Sequence, residues 1–317
     1  MKAAVVRGPQ QPPRYETFAS PEDRDGGVIV DVLAAALSPR VRSGAAGQHY
    51  TSKGVFPLVP GLDGVGRLRD GQRVYFLAAD EALGTMAEQT VADPRLALPL
   101  PDGVRSSVVA AAMIPAISSW VALAKRATLQ PGQSVLVLGA TGAAGQLAVQ
   151  IAKYLRAGRV VAAGRNREAL DRLQTLGADA VVGLTGTKVD GDTVAAAASE
   201  VDIVLDYLWG PITTEIMPAL CRRREAESGA LHWVLIGSAA GDDISLSSIL
   251  LRKRNLHVLG SGQGATSTAD MFSVSRDVVA AFAAGALQVQ VREVPLADVE
   301  RQWSAQLPSG ERLVFVT

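Results

Sequence analysis

The distribution of apolar and polar stretches divides the chain into two parts. Up to about residue 110, short extended runs such as residues 28–32 and 73–76 are separated by turns rich in glycine and proline, for example at Pro60-Gly61. This punctuation predicts a β-rich, barrel-like domain. After Pro131-Gly132, apolar strands alternate with amphipathic helices, which predicts a parallel sheet with helices on both faces.

The predicted strands of the second part are short and apolar. They cover residues 135–138, 160–163, 201–205, 233–236 and 258–259. Past about residue 265 the pattern gives a helix over 271–284 and two strand-like segments, 288–294 and 312–316, which could rejoin the first domain. We therefore predict an α/β fold in which a barrel-rich domain, 1–115 and 266–317, accompanies a nucleotide-binding type of parallel sheet, 116–265.

Composition narrows the classes of function. The chain has 317 residues, and its 31 Lys and Arg balance 31 Asp and Glu, so no positive field favours nucleic acid or an anionic membrane as a partner. A single cysteine, Cys221, cannot form an internal disulfide, and together with three histidines it predicts a chain without a resident metal. The apolar stretch 108–121 contains Pro115 and is too short to span a membrane, so we expect a buried helix and a cytoplasmic protein.

The strongest chemical signal is a strand, a glycine turn and a helix in that order. The glycines follow the pattern Gly-x-x-Gly-x-x-Gly, and a helical run follows them directly. Glycines let the backbone turn sharply and approach a diphosphate, whose charge is stabilised at a helix N-terminus. A strand-to-helix turn without any ligand is the alternative. The predicted cofactor-binding residues of this turn are Gly139, Thr141, Gly142, Ala143, Ala144 and Gly145.

The next strand ends in residues that indicate which dinucleotide binds. About twenty residues beyond the last glycine, NAD-preferring sheets place a carboxylate against the ribose 2′-hydroxyl. This chain has Arg165 and Asn166 there and no carboxylate. A guanidinium can bind a 2′-phosphate through charge-assisted hydrogen bonds, so the pattern favours NADP(H). The alternative is that Arg165 is an ordinary exposed residue at the start of a helix.

Three further strand ends fall where carboxyl ends of parallel strands open toward a crevice ligand. Asp206 could also act as a cap of the following loop, and the glycines around residues 260–264 could be a plain connection, so both alternatives stay open. By contrast, His232 and His257 sit in apolar strands and are expected to be structural histidines with satisfied hydrogen bonds. The residues predicted to contact the cofactor at these ends are Tyr207, Gly237, Ser238 and Ser261.

Taken together, these features resemble the medium-chain dehydrogenase/reductase superfamily, and most of all its zinc-independent, quinone oxidoreductase-like branch. The strings at residues 60–66, 118–120 and 176–179 carry the likeness beyond the glycine turn. The resemblance implies a GroES-like first domain, a Rossmann NADP(H)-binding second domain and a homodimer. It also implies that Ser118, which stands at the family's usual threonine, contacts the cofactor. Many relatives have a lysine at the position of Ala169, so Arg165 would have to compensate.

The zinc-dependent members of that superfamily carry Gly-His-Glu where this chain has Gly61-Leu62-Asp63. A leucine cannot bind zinc, so the resemblance implies a reductase without catalytic zinc. Hydride transfer from NADPH to an electron-poor acceptor, a quinone or an α,β-unsaturated carbonyl compound, is the remaining chemistry.

The substrate loop of the relatives corresponds to residues 37–50. Relatives often have Asn and Asp where this chain has Ser38 and Val41. Tyr50 could stack on a planar acceptor or donate a hydrogen bond to it, and His49 could do the latter. Tyr50 could equally be a packing residue, and His49 a solvated loop residue. Because the loop is altered, the alternative function is a non-catalytic NADPH-binding protein with a regulatory or structural role.

Overall fold

The computed structural model describes residues 1–22, 26–80, 82–184, 191–225 and 229–317, and the chain divides into two compact units. The first unit comprises Met1–Ile114 and Ser275–Thr317, and the second comprises Pro115–Val274. Residues 266–274, which the sequence analysis places in the first domain, therefore belong to the second unit. The chain turns back after the last parallel strand, because the N–H groups of Ala265 and Thr266 both donate to the carbonyl of Gly262 at 3.1 Å.

The helices and strands are numbered here in chain order. The strands are β1 (Lys2–Val5), β2 (Arg14–Thr17), β3 (Val28–Leu37), β4 (Asp63–Arg67), β5 (Arg73–Ala78), β6 (Gln89–Pro99), β7 (Ser134–Leu138), β8 (Arg159–Gly164), β9 (Ala180–Gly183), β10 (Ile203–Asp206), β11 (Leu231–Leu235), β12 (Leu256–Gly260), β13 (Gln290–Pro295) and β14 (Glu311–Val316). The helices are α1 (Pro39–Ala45), α2 (Ser106–Val121), α3 (Ala143–Tyr154), α4 (Arg167–Thr175), α5 (Gly191–Ala197), α6 (Gly210–Arg223), α7 (Ser248–Lys253), α8 (Thr268–Ser273), α9 (Ser275–Ala283) and α10 (Val299–Gln302).

The first unit is built on a six-stranded sheet in the order β13-β14-β3-β4-β5-β6. Strand β3 pairs with β4 and, over its first half, also with β6, so the strands from β3 to β6 close into a ring. Its pairs are antiparallel except β13 with β14. Phe76 and Phe315 are fully buried in the apolar clusters of this unit. The predicted β-rich, barrel-like domain is confirmed.

The second unit contains a parallel sheet of six strands in the order β12-β11-β10-β7-β8-β9. Chain order reverses between β7 and β10, which gives the doubly wound arrangement of dinucleotide-binding domains. The strands are apolar on both faces because helices cover both; Leu136, Val204 and Trp233 are fully buried. The predicted parallel sheet is confirmed, and the strand missing from the prediction is β9, whose four residues directly follow the turn at Gly177.

The apolar stretch around Pro115 forms helix α2, which continues as a π-helical turn over Ala122–Arg126. The two segments together span 21 residues, so the expectation of a stretch too short to cross a membrane is wrong. Within the described residues this is the one helix long and apolar enough to do so, and the expected burial is confirmed because most of it lies inside the protein. Because proline has no N–H, it leaves the carbonyl of Ala111 without its helical donor. The Arg312 guanidinium supplies a donor instead, with its Nε 3.2 Å from that oxygen.

Candidate functional site

Five strands of the parallel sheet end within three residues of positions that the sequence predicts to bind a cofactor. Carboxyl ends of parallel strands share one edge of a sheet, and the crevice forms where strand order reverses. Here the reversal lies between β7 and β10. The residues that follow the five ends are Gly139 after β7, Arg165 after β8, Tyr207 after β10, Gly237 and Ser238 after β11, and Ser261 after β12.

The three glycines of the turn after β7 have three different surroundings. Gly139 adopts φ +87°, a conformation that side chains rarely take. A Cβ on Gly145 would lie 2.4 Å from the carbonyl oxygen of Gly139, so this glycine lets helix α3 pack tightly against the turn. A Cβ on Gly142 would meet only that same oxygen, at 3.6 Å. The turn is therefore closely packed at its first and third glycines and open at its second.

The open glycine is also the N-cap of helix α3. Gly142 is exposed, has extended backbone angles and supplies no side-chain cap, and Ala143 and Ala144 are the first, half-buried residues of the helix. The first-turn N–H groups of a helix lack intrahelical partners and carry the positive end of its dipole. An anion can therefore approach them here without displacing a side chain. Thr141 is buried, and its carbonyl accepts a 2.9 Å hydrogen bond from Gln146 Nε2.

The end of strand β8 carries an exposed arginine and a helix cap. Arg165 is exposed, and no carboxylate lies beside it between Gly164 and the start of helix α4. Asn166, predicted as a cofactor contact, caps α4, because its Oδ1 accepts a 2.8 Å hydrogen bond from the N–H of Ala169. Asn166 therefore has a structural role as a helix cap, and its amide nitrogen is a further donor.

The end of strand β10 is anchored by a fully buried carboxylate. Oδ1 of Asp206 accepts hydrogen bonds from the N–H groups of Leu208 (2.8 Å) and Trp209 (2.9 Å). Its Oδ2 accepts from Thr213 Oγ1 (2.5 Å) and Trp233 Nε1 (2.9 Å). Of the two roles left open by the sequence, the loop cap is the one that the structure assigns to Asp206. The loop that it holds includes a non-glycine residue at φ +54°, Trp209.

Tyr207 follows Asp206 and forms a hydrogen bond that sequence reasoning missed. Its hydroxyl lies 2.7 Å from Oγ of Ser119, a fully buried residue of α2. Ser118, the predicted contact, has its hydroxyl bonded to the carbonyl of Pro115 at 2.9 Å. Burial raises the pKa of the Tyr207 hydroxyl, so it stays protonated. The sequence contained one hint, the two adjacent serines after Pro115. Neighbouring residues of a helix point in different directions, so only one of the two can face the tyrosine.

The predicted residues beyond β11 and β12 are held by the backbone. The Gly237 N–H donates to the carbonyl of Asp206 at 3.1 Å, and the Ser261 N–H donates to the carbonyl of Leu235 at 2.8 Å. Ser261 is buried, whereas the exposed Ser238 donates its hydroxyl to the carboxylate of Asp242 at 2.8 Å. The two serines thus differ in their access to a ligand, since Ser238 is exposed and Ser261 is buried.

Tyr50 and His49 lie in the first unit, just after helix α1. Their rings stack at 4.2 Å between centroids, and Tyr50 is 70% exposed. The Nδ1 of His49 is 2.9 Å from Oγ1 of Thr51, which also accepts a 2.6 Å hydrogen bond from Arg40. Burial and then the Arg40 charge lower the pKa of His49 to about 4. His49 is therefore neutral at pH 7 and poorly suited to act as a charged proton donor.

The first unit contains a buried polar cluster around Asp63, the residue that stands where zinc-dependent relatives have a glutamate. Asp63 is buried, with the buried Tyr75 as a hydrogen-bonding neighbour and the buried Arg312 as a nearby charge. Burial raises the pKa of Asp63 to about 7, against the opposing effects of Arg312 and Tyr75. The carboxyl group is therefore largely protonated below neutral pH.

This raised pKa predicts a pH-dependent stability. The folded state holds a proton on Asp63 that the unfolded chain releases near pH 4, so the contribution of Asp63 to stability falls as the pH rises from about 4 to 7. We expect the free energy of unfolding of the Asp63→Asn variant to increase relative to that of the natural chain, by up to about 4 kcal/mol between pH 4 and pH 7. Urea unfolding at pH 5 and pH 8 measures the part of this rise that falls above pH 5, about 3 kcal/mol. The matched control Asp70→Asn replaces an exposed carboxylate and should show no such rise; an equal rise in both variants would contradict the assignment.

Comparison with known proteins gives one consistent picture. Residues 143–279 match the family model described as zinc-binding dehydrogenase. The chain is 27% identical to the "Probable NADPH-dependent quinone reductase tdiC" of Emericella nidulans, with 90% of each chain covered. It is 29% identical to the "NADPH-dependent alkenal/one oxidoreductase, chloroplastic" of Arabidopsis thaliana over 54% of this chain and 48% of that protein.

Solved structures agree with this picture over the full length. The quinone oxidoreductase of Thermus thermophilus, described alone and in complex with NADPH, is 25% identical, with a TM-score of 0.76 and 100% of both chains covered. The similarity therefore includes both compact units and not the glycine turn alone.

Proposed function

Because the chain belongs to the medium-chain dehydrogenase/reductase superfamily and its relatives are quinone oxidoreductase-like, we propose that it is an NADPH-dependent reductase of quinones or α,β-unsaturated carbonyl compounds. The observation that carries the proposal is the turn after β7, where the backbone is open at Gly142 and a helix N-terminus follows. Two relatives, named as a quinone reductase and an alkenal/one oxidoreductase, support these acceptor classes.

The residues of the second unit fit a dinucleotide. The closely packed glycines Gly139 and Gly145 fix the turn. The N–H groups of Ala143 and Ala144 are the donors that would hold a diphosphate. Arg165 would hold the 2′-phosphate, since it is exposed at the end of β8 and neither of its neighbours in the sequence is a carboxylate. Tyr207, fixed by Ser119, would border the cofactor at the reversal of strand order. When bound, NADPH supplies the hydride that reduces the acceptor.

We propose that the reaction needs no zinc. Leu62 stands where zinc-dependent relatives have a histidine ligand, and its side chain has no lone pair to donate. The protein's contribution is then to orient the acceptor and exclude water. Tyr50 is the candidate for acceptor contact, because most of its surface is exposed. Because His49 is neutral at pH 7, we propose that solvent supplies the proton.

Stopped-flow absorbance at the reduced-nicotinamide band tests the proposal. NADPH bound to the protein should be oxidised when a simple quinone or an enone is mixed in, and a matched mixing experiment without protein sets the background. Binding of NADPH with no oxidation by any member of a quinone and enone panel would contradict the reductase and leave a non-catalytic NADPH-binding protein. Failure to bind NADPH would contradict both functions.

The choice of NADPH over NADH gives a prediction about a single arginine. We expect Arg165→Gln to weaken NADPH binding about 10- to 100-fold, because a charge-assisted hydrogen bond to phosphate contributes about 1.5–3 kcal/mol. NADH binding should be unchanged, because NADH lacks the 2′-phosphate. Isothermal titration with both coenzymes measures this. The matched control is Arg167→Gln, which removes an exposed arginine paired to Asp171 at 3.1 Å; equal losses for both coenzymes, or a larger loss in the control, would refute the role of Arg165.

We also propose that the protein is a cytoplasmic homodimer. Strand β12 is the edge strand of the parallel sheet, and Val258 on it is 38% exposed. An unpaired edge with apolar side chains favours pairing with another chain. Sedimentation velocity tests the dimer, and a concentration-independent monomer mass would contradict it. Cell fractionation tests the location.

A further inference from the structure

Two histidines stand side by side on neighbouring strands of the parallel sheet. His232 on β11 and His257 on β12 are in register, and their ring centroids are 4.9 Å apart with 60° between the ring planes. Each is the second residue of its strand, so the pair lies toward the amino-terminal ends of the strands, whereas the glycine turn follows the carboxyl end of β7. This pair is therefore separate from the proposed nucleotide site.

The hydrogen bonds leave one nitrogen of each ring available. Nε2 of His257 is 2.9 Å from Oδ1 of Asn255, an oxygen that can only accept, so Nε2 carries the proton and Nδ1 keeps a lone pair. Nδ1 of His232 is buried and has no hydrogen-bond partner within the part of the chain that the structure describes. The expectation of a satisfied structural histidine is therefore wrong for His232. A buried polar nitrogen without a partner is costly unless a ligand binds it.

Asp202 lies next to His232, because the backbone N–H of His232 donates to the carbonyl of Asp202 at 2.9 Å. A neutral imidazole is the ligand form, and a second imidazole held by an amide is oriented as metal ligands usually are. The Asp202 carboxylate is fixed by the N–H and hydroxyl of Ser134, at 2.8 and 3.1 Å, so a fixed negative charge stands close to His232.

We propose that His232 and His257 bind a divalent ion of the late first transition row, Zn²⁺, Ni²⁺ or Cu²⁺. Imidazole nitrogen is a preferred ligand of these ions. In the described residues no group of three or more His, Cys, Asp or Glu side chains is arranged to hold a metal, so the site has two protein ligands and solvent completes the coordination. His257 is exposed on a face of the sheet, whereas pairing of β12 with a second chain would use the backbone edge of the strand, so the ion keeps its access. Because the ion binds one residue of each strand, it links the edge strand β12 to β11.

Calorimetric titration of the untagged, chelator-treated full chain with ZnCl₂ tests the site. We expect one equivalent to bind and the melting temperature to rise with zinc concentration, because the ion binds only the folded pair. His257→Gln, a change at an exposed position, should abolish this binding. Asn255→Leu should weaken it about 10- to 100-fold, as expected for the loss of an orienting partner. His49→Gln is the matched control, since it removes the third histidine of the chain and should leave zinc binding intact.

X-ray absorption spectroscopy of the zinc-loaded chain should show nitrogen ligands at about 2.0–2.1 Å. The inference is overturned if the natural chain binds no zinc, if His257→Gln binds it as tightly as the natural chain, or if only His49→Gln loses it. None of these results depends on NADPH binding or on reductase activity.

Discussion

Replacing Asp206 by alanine is expected to lower the free energy of unfolding by about 3–5 kcal/mol, because several hydrogen bonds to a buried carboxylate are lost together. The carboxylate is fully buried and accepts four hydrogen bonds, two from the backbone of the following loop and two from the side chains of Thr213 and Trp233. The alanine variant would leave the four donors without this acceptor, and those of Thr213 and Trp233 are buried away from water. Urea unfolding monitored by tryptophan fluorescence measures the loss.

The loop after β10 also links the Asp206→Ala variant to a second measurable property, its affinity for NADPH. Trp209 is held at φ +54°, a conformation that costs free energy and persists only when neighbours fix it. The side chain of Leu208 lies 3.1 Å from the Cβ position of Gly139, so the same loop borders the glycine turn. The variant should therefore also bind NADPH more weakly. The control Asp242→Ala removes an exposed carboxylate that accepts one hydrogen bond, from Ser238, and should cost less than about 1 kcal/mol. Similar losses in both variants would show that Asp206 does not anchor the loop.

Alanine at the second and third glycines of the turn is expected to have opposite consequences. Gly142 has φ −73° and open space at its Cβ position, so Gly142→Ala should fold normally. Its methyl group would occupy the approach to the helix N-terminus, and we expect NADPH affinity to fall about 10- to 100-fold as charge-assisted hydrogen bonds are lost. Isothermal titration with NADPH and a thermal melt of the free protein separate binding from folding.

Gly145→Ala is the matched partner of that variant. Its Cβ would lie 2.4 Å from the Gly139 oxygen and 2.5 Å from the Cα of Ala140, and backbone atoms cannot yield as a flexible side chain can. Overpacking of this kind costs about 1–3 kcal/mol, so Gly145→Ala should lower the melting temperature of the free protein. A Gly142→Ala variant that binds NADPH normally, or that melts as early as Gly145→Ala, would contradict the roles assigned to the two glycines.

The sequence predicted those features of the fold that depend on local pattern. Apolar runs bounded by turns located the strands β7, β8, β10, β11 and β12, and the glycine spacing located the turn after β7. Strand β9 escaped prediction, because four residues after a turn carry little periodicity. The β-rich, barrel-like character of the first domain was predicted, but the closure of β3 to β6 into a ring and the strand order were not, since strand pairing depends on distant residues.

The site could be predicted less completely, for reasons of geometry. Whether Ser118 or Ser119 meets Tyr207 depends on a helix rotation of one residue, and a sequence does not give that rotation. The four donors around Asp206 come from three separate elements, so their convergence was not visible in the chain. His232 and His257 are 25 positions apart and become neighbours only through the register of β11 and β12.

The central claim is that helix α3 binds the diphosphate of NADPH at its N-terminus. A crystal structure of the natural chain grown with NADPH tests it most directly. Phosphate oxygens should lie within about 3 Å of the backbone nitrogens of Ala143 or Ala144, with the 2′-phosphate beside the Arg165 guanidinium. A coenzyme bound with its diphosphate away from this helix, or a helix start that contacts only solvent at saturating NADPH, would contradict the account.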